Sequence, residues 1–336
     1  MTLRAWLMAT RPKTLVAGAV PVAVGCALAS TVTALEPLPA VACLAGAILI
    51  QVGTNFANDA FDALKGADTP DRLGPTRAVA AGLISARAML IATAVVLVAA
   101  LGIGLYLATI GGWPILALGL VSLICAVAYT GGPYPLAYHG LGDVFVFLFF
   151  GLFAVIGSAW IQVAPDLAAL ARAWWWVAAA VGFQATAIIA VNNLRDIATD
   201  AAAGKRTLAV RLDERGGRWW YGLLHAGALV CLCLAHHDGL GGRNGLIVPI
   251  VAAGLGGAAL TLGVALNRGR ALNRYLARSA ALQVITGVSL VLAMRTSDHR
   301  EPTGAAGAGG VPPTSDAAAS LRSQPATPRG TLPGTP

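Results

Sequence analysis

The chain has 336 residues, 57% of them hydrophobic and only 11% charged, with a mean hydropathy of +0.72. A soluble globular protein carries about 25% charged residues, so a chain this poor in charge cannot cover a water-facing surface. In a soluble protein the net charge of +8 would point to nucleic acid. The apolar runs exclude that reading here, and no nucleic-acid partner is expected.

Runs of about 20 apolar residues have the length of a helix that crosses a bilayer core, and nine occur in chain order. The first, over residues 15–30, follows Arg4, Arg11 and Lys13 but leads to no Ala-x-Ala-like cleavage site, so it reads as an uncleaved first helix rather than a signal peptide. The second, 38–55, ends in Asn55-Phe-Ala-Asn58-Asp59-Ala-Phe-Asp62-Ala-Leu-Lys65-Gly-Ala-Asp68-Thr-Pro-Asp71-Arg72. If the helix continues to about Asp62, then Asn55, Asn58, Asp59 and Asp62 stand at i, i+3, i+4 and i+7 on one face. The third, fourth and fifth runs cover 86–108, 113–129 and 144–163. His139 and Asp143, in the loop before the fifth run, read as loop structure; a lid or a support for the site is the alternative.

The sixth run, 174–191, leads into Asn192-Asn193-Leu-Arg195-Asp196-Ile-Ala-Thr-Asp200, with Gly204-Lys205-Arg206 behind it. Asn192, Asp196 and Asp200 fall at i, i+4 and i+8, again on one face of a continuing helix. The last three runs are 220–235, 246–266 and 279–294, giving one membrane domain over 1–295. From Thr296 the sequence turns to Gly, Ala, Pro, Ser and Thr with nothing to bury, so residues 296–336 are expected to be a disordered tail.

Gly and Ala throughout the runs favour close helix packing in lipid. Gln51 and Gln184, polar residues inside runs, either bridge helices or touch a bound acceptor. The five cysteines, Cys26, Cys43, Cys125, Cys231 and Cys233, all fall inside runs, which argues for packing rather than a disulfide framework. Cys231-x-Cys233 beside His236 and His237 matches no common zinc spacing.

Charge sets an expected topology. With the N-terminus in the cytoplasm, cytoplasmic segments hold 17 of the 23 Lys and Arg residues, whereas the opposite loops hold only Arg172 and Arg243. The positive-inside rule and nine spans then place the C-terminus outside.

The two longest cytoplasmic loops, 55–85 and 192–218, contain eight of the 15 acidic residues; six of them, Asp59, Asp62, Asp68, Asp71, Asp196 and Asp200, follow directly on an even-numbered run, as in a weak internal duplication. Carboxylates stacked at a membrane boundary repel one another and need compensation. Solvated helix ends would explain one Asp or an Asp–Arg pair but not two Asn/Asp faces in so acid-poor a chain. Facing acid and amide oxygens suit Mg²⁺, which keeps water and substrate phosphate oxygens in its shell. Lys65, Arg72, Arg77, Lys205 and Arg206 are then placed to meet phosphates.

These motifs resemble those of the UbiA superfamily of intramembrane prenyltransferases, over about residues 4–295. The nearest branch is the one that prenylates 1,4-dihydroxy-2-naphthoate on the way to menaquinone. Besides the two acidic segments, the resemblance rests on Arg11-Pro12-Lys13-Thr14-Leu15, Gly74-Pro75-x-Arg77, Tyr129-Thr-Gly-Gly-Pro133-Tyr134-Pro135 and Thr207-Leu208. The broad superfamily pattern would place a last Asp at Gly66; here the next acid is Asp68, a departure this branch shares.

The resemblance implies an all-α membrane fold of nine helices around a central cavity, in a bacterial cell membrane. It implies a polyprenyl diphosphate as donor and the naphthoate as acceptor, with loss of the carboxylate; 4-hydroxybenzoate, homogentisate or a sugar phosphate serve other relatives. It further implies Mg²⁺ held by Asp59, Asp62, Asp196 and Asp200, with Asn55, Asn58 and Asn192 assisting and Asp68 nearby, and Asn193 among the substrate-binding residues. Lys65, Arg72, Arg77, Lys205 and Arg206 would bind the diphosphate. Tyr129 or Tyr134 would face an allylic cation with its ring, or else anchor the interface. A CDP-alcohol phosphotransferase would need one continuous acidic run. A cation-coupled transporter would place its acids near mid-membrane.

Overall fold

A computed structural model describes residues 2–68, 73–242 and 244–297. Arg72, Asp71, Arg243 and the expected tail beyond Ser297 lie outside the described residues.

Among the described residues every regular element is helical. In chain order these are α1 (Leu3–Thr10), α2 (Pro12–Ala29), α3 (Pro37–Leu64), α4 (Ala86–Gly111) and α5 (Trp113–Ala128). There follow α6 (Gly142–Phe147), α7 (Ala154–Val163), α8 (Arg172–Arg195), α9 (Ile197–Ala202), α10 (Leu208–His237), α11 (Ile247–Leu266) and α12 (Leu272–Ser297). A π-helical turn, Leu148–Phe153, joins α6 to α7.

Among the described residues seven spans are long and apolar enough to cross a membrane, and an eighth counts if the bent pair α1–α2 is one span. The expected nine included α5, whose 16 apolar residues are shorter than the others. Large apolar side chains face outward where lipid would lie, among them Val98, Ile124, Leu255 and Leu262.

Local chemistry sets the helix ends. Pro12, Pro37 and Pro114 stand in the first turns of α2, α3 and α5, where a missing N–H costs nothing. Thr2, Ser85 and Thr207 cap α1, α4 and α10 by accepting from backbone N–H groups. Arg11, at φ 53°, makes the turn between α1 and α2.

The bundle packs around α8, which lies against α10, α12 and the α6 segment, while α3 packs on α4 and α2. The main core joins Val24 and Leu28 of α2, Val155 and Ala159 of α7, Trp174, Val177 and Val181 of α8, Leu232 of α10, and Leu290 and Met294 of α12. α8 approaches the α6–α7 segment through glycines. A Cβ at Gly182 would stand 2.9 Å from the Phe147 carbonyl oxygen and 3.1 Å from Gly151 Cα.

All five cysteines are free; Cys26, Cys43 and Cys231 are buried. Cys233 is exposed, so packing inside the bundle, expected for all five, does not hold for it. Gln184 bridges helices as expected, its Nε2 donating to Thr286 Oγ1 of α12 at 3.0 Å.

Candidate functional site

The C-terminal ends of α3 and α8, the start of α2 and the end of α5 meet at one end of the bundle, where a cavity of about 370 Å³ opens. Arg11, Gln51, Asn55, Asn58, Tyr129 and Asn192 supply its polar end. Its body is apolar, running past Phe149 and Phe153 to Val22, Leu107 and Ile161. That division suits an amphiphile with a charged head and a hydrocarbon tail.

The first acidic segment is helical through Leu64, so Asn55, Asn58, Asp59 and Asp62 do share one face, and all four are buried. Each is held. Asn55 Nδ2 donates to the Thr10 carbonyl at 2.9 Å and to Thr14 Oγ1 at 3.1 Å. Asn58 Oδ1 accepts from Thr130 Oγ1 at 2.8 Å. The two carboxylate oxygens of Asp59 accept from the backbone N–H groups of Ala78 and Val79, both at 3.0 Å. Asp62 accepts from Arg77 Nη2 at 3.2 Å and from the Tyr138 hydroxyl at 3.0 Å.

The second segment differs from the expected continuous helix. The backbone leaves helical geometry at Asp196, at φ −98° and ψ 10°, so α8 ends there and Asp200 rides on the short α9. Arg195, buried to 4% exposure, explains the break. Its guanidinium grips both oxygens of the neighbouring Asp196 and also donates to Asn192 Oδ1 at 2.9 Å and Asn273 Oδ1 at 2.6 Å. Asn273 in turn donates to the Leu73 carbonyl at 3.1 Å, beside the first segment.

The expected phosphate ligands divide. Lys65 Nζ donates to the Thr130 carbonyl at 2.6 Å and lies 4.6 Å from the centre of the Tyr138 ring. Burial lowers the pKa of its ammonium, and nearby Asp62 works in the opposite direction. Lys205 Nζ lies 5.7 Å from the same ring and 3.8 Å from Asp200 Oδ1. Arg77, expected to meet phosphate, is instead buried between Asp62 at 3.2 Å and Asp68 at 3.6 Å, because two buried carboxylates need a counter-charge. Arg206 is exposed, and its backbone N–H donates to the Tyr138 carbonyl at 3.0 Å. Asn193 is buried and does not line the cavity.

Of the two expected tyrosines, Tyr129 lines the cavity and Tyr134 does not. Tyr134 is 57% exposed and stacks on His139 with ring centroids 3.6 Å apart, the aromatic contact its exposed loop offers. His139 accordingly belongs to loop structure. Asp143 begins α6 instead and is buried, accepting from Trp220 Nε1 at 2.9 Å.

The residue that sequence reasoning missed is Tyr138, on the single 3₁₀ turn Leu136–His139 between α5 and α6. Burial, then the charges of Asp62, Asp68 and Asp200, raise its pKa far above the ordinary phenol value, so it remains a neutral donor. Asp62 and Lys65 of the first segment and Lys205, behind the second, all lie around this one side chain. Burial, then Asp143, likewise raises Tyr129.

Among the described residues no three His, Cys, Asp or Glu side chains gather into a ready-made metal site. The donors at the two segments are all carboxylate and amide oxygens, the chemistry of a hard cation. Mg²⁺ is commonly held by one or two carboxylates plus substrate phosphates, and the residues present fit that mode.

An all-helical membrane bundle with an apolar cavity and two oxygen-rich helix ends defines an intramembrane enzyme for a charged amphiphile. The sequence matches the UbiA prenyltransferase family over residues 18–284, and the chain belongs to that family. Its similarity to the 1,4-dihydroxy-2-naphthoate octaprenyltransferase of Escherichia coli (strain K12) is 43% identity over 240 residues, 69% of this chain and 76% of that one. The enzyme of the same description from Mycobacterium tuberculosis is 37% identical over 231 residues, 68% of this chain and 77% of that one. Among solved structures, a UbiA homologue from Archaeoglobus fulgidus bound to DMAPP and Mg²⁺ superposes with a TM-score of 0.61 at 15% identity, over 85% of this chain and 99% of that one. At that identity the likeness concerns the fold.

Proposed function

We propose that the chain transfers a polyprenyl group from an allylic diphosphate to 1,4-dihydroxy-2-naphthoate, with Mg²⁺ as cofactor. The observation that carries this reading is that Asn55 and Asn58 of the first acidic segment and Asn192 of the second meet at the polar end of one apolar cavity, with Asp62, Lys65 and Lys205 gathered around the nearby Tyr138. The identities of 43% and 37% to naphthoate prenyltransferases support the acceptor.

In this mechanism the isoprenoid tail lies along Phe149, Phe153 and the apolar wall, and the diphosphate meets Lys65 and Lys205. Asp62 and Asp200, with Asn58 and Asn192 at the cavity edge, would hold the metal, while Asp59 and Asp196 set the loop and helix break that carry them. Held there, Mg²⁺ would supply positive charge against that developing on the departing diphosphate. The lysines add charge-assisted hydrogen bonds to the same oxygens. The allylic C–O bond breaks, and its electron pair leaves with the diphosphate. The Tyr129 ring, kept neutral, faces the cation at the cavity's polar end. The apolar wall excludes water, which would otherwise capture that cation. A ring carbon of the acceptor then forms the new C–C bond. The carboxylate departs as CO₂, leaving its electron pair on the ring, so the product is the reduced form of a demethylmenaquinone.

The excess of Lys and Arg on one set of loops supports an N-terminus in the cytoplasm with the site on that side.

The test is labelled-prenyl transfer by purified protein with a panel of acceptors. Equal amounts of CO₂ and prenylated product from 1,4-dihydroxy-2-naphthoate are expected. Transfer to 4-hydroxybenzoate alone would reassign the acceptor, and transfer to none would remove the reading.

A further inference from the structure

Tyr138 is not part of either acidic segment, yet it touches both. Its hydroxyl donates to Asp62 Oδ1 at 3.0 Å. The Lys65 and Lys205 ammoniums lie 4.6 and 5.7 Å from its ring centroid. Its carbonyl accepts from the backbone N–H of Arg206 at 3.0 Å, which ties the turn Leu136–His139 to the loop after α9. Two ammonium groups brought to one small region repel each other. One aromatic ring within about 6 Å of both offers each an attraction without itself adding a negative charge. A carboxylate in that place would hold the lysines too, but it would repel a diphosphate.

We propose that Tyr138 is a positioning residue that registers Lys65 of the first segment and Lys205 of the second as one bidentate clamp for the diphosphate. This rests on the reading that those lysines bind the diphosphate. The ring does the registering; the hydroxyl separately steadies Asp62. Its backbone link to Arg206 persists whatever side chain stands at 138. The two functions of the side chain are therefore separable by substitution.

The experiment uses the purified full chain with geranyl diphosphate as donor and 1,4-dihydroxy-2-naphthoate as acceptor. It compares wild type, Tyr138→Phe, Tyr138→Leu, the double variant Lys65→Ala/Lys205→Ala, and Tyr138→Leu in that double background. Melting temperature is read on every protein. Removing the ring is expected to raise KM for the diphosphate about tenfold or more, with acceptor KM within about twofold. Tyr138→Phe, which keeps the ring, should stay within about threefold of wild-type KM. In the lysine double background, Tyr138→Leu should add no further increase. A merely structural residue would instead lower melting temperature and turnover without separating the two substrates.

An unchanged diphosphate KM in Tyr138→Leu would overturn the proposal. So would equal damage by Phe and Leu, or an undiminished Leu effect without the lysines. If the lysine double variant alone keeps wild-type KM, the diphosphate reading itself fails, and the clamp with it. Should Tyr138→Leu not yield folded protein, Tyr138→Met, which fills space without a π face, is read by the same criteria.

Discussion

The four acids that the sequence singles out do different work. Asp62 accepts from the Tyr138 phenol and Asp200 lies 3.8 Å from the Lys205 ammonium, whereas Asp59 is spent on two backbone N–H groups and Asp196 on the Arg195 guanidinium. Asp200→Asn should therefore lower turnover at least about a hundredfold, roughly 2.7 kcal/mol of transition-state stabilisation, with little change in melting temperature. Asp196→Asn should lower both, because it leaves the buried Arg195 short of a counter-charge; breaking such a pair costs about 3–5 kcal/mol. Asparagine at 59 should also destabilise, since its amide presents one oxygen to two N–H donors, and a lost bond to a charged acceptor is worth about 1.5–3 kcal/mol. Turnover and melting on the same purified variants check all three. Equal stability across them would mean that Asp59 and Asp196 are not structural. The spacing in the sequence located all these residues, because i, i+3, i+4 periodicity survives in α3. What it could not supply was their division of labour. That depends on Ala78, Val79, Tyr138 and Asn273, contacts made across 19 to 78 residues of chain, which no local pattern encodes.

The same limit applies to helices. The apolar runs place every span, yet periodicity carried the second motif straight through Asp196, where the chain bends. A buried Arg gripping its own neighbour is what stops α8, and sequence gives no sign of that burial. Packing between elements was anticipated only as a general use of small residues. The structure localises it at Gly151 and Gly182, where α8 meets the π turn backbone to backbone. Alanine at either position must push backbone apart, so each should destabilise by about 1–3 kcal/mol despite the better helix propensity of alanine. Gly102, on α4, has nothing within 4 Å of an added Cβ. Gly102→Ala should be neutral or stabilising by up to about 1 kcal/mol. Thermal melts in one detergent compare the three directly. A Gly182→Ala protein as stable as Gly102→Ala would mean that the close approach is not tight.

The whole molecule is a membrane bundle with an amphiphile-shaped cavity, apolar along its body and polar at the end where the two oxygen-rich segments meet. A reporter fused within residues 74–85 should lie in the cytoplasm, and one fused after Arg295 outside it. Finding both on one side would give an even number of spans, the count at issue between eight and nine. The central claim is that the two oxygen-rich segments act with Mg²⁺ on an allylic diphosphate, and its most direct test is transfer of a labelled prenyl group to 1,4-dihydroxy-2-naphthoate by the purified protein. No transfer is predicted in EDTA, with full recovery when Mg²⁺ is returned in excess. Undiminished transfer in chelator would contradict it.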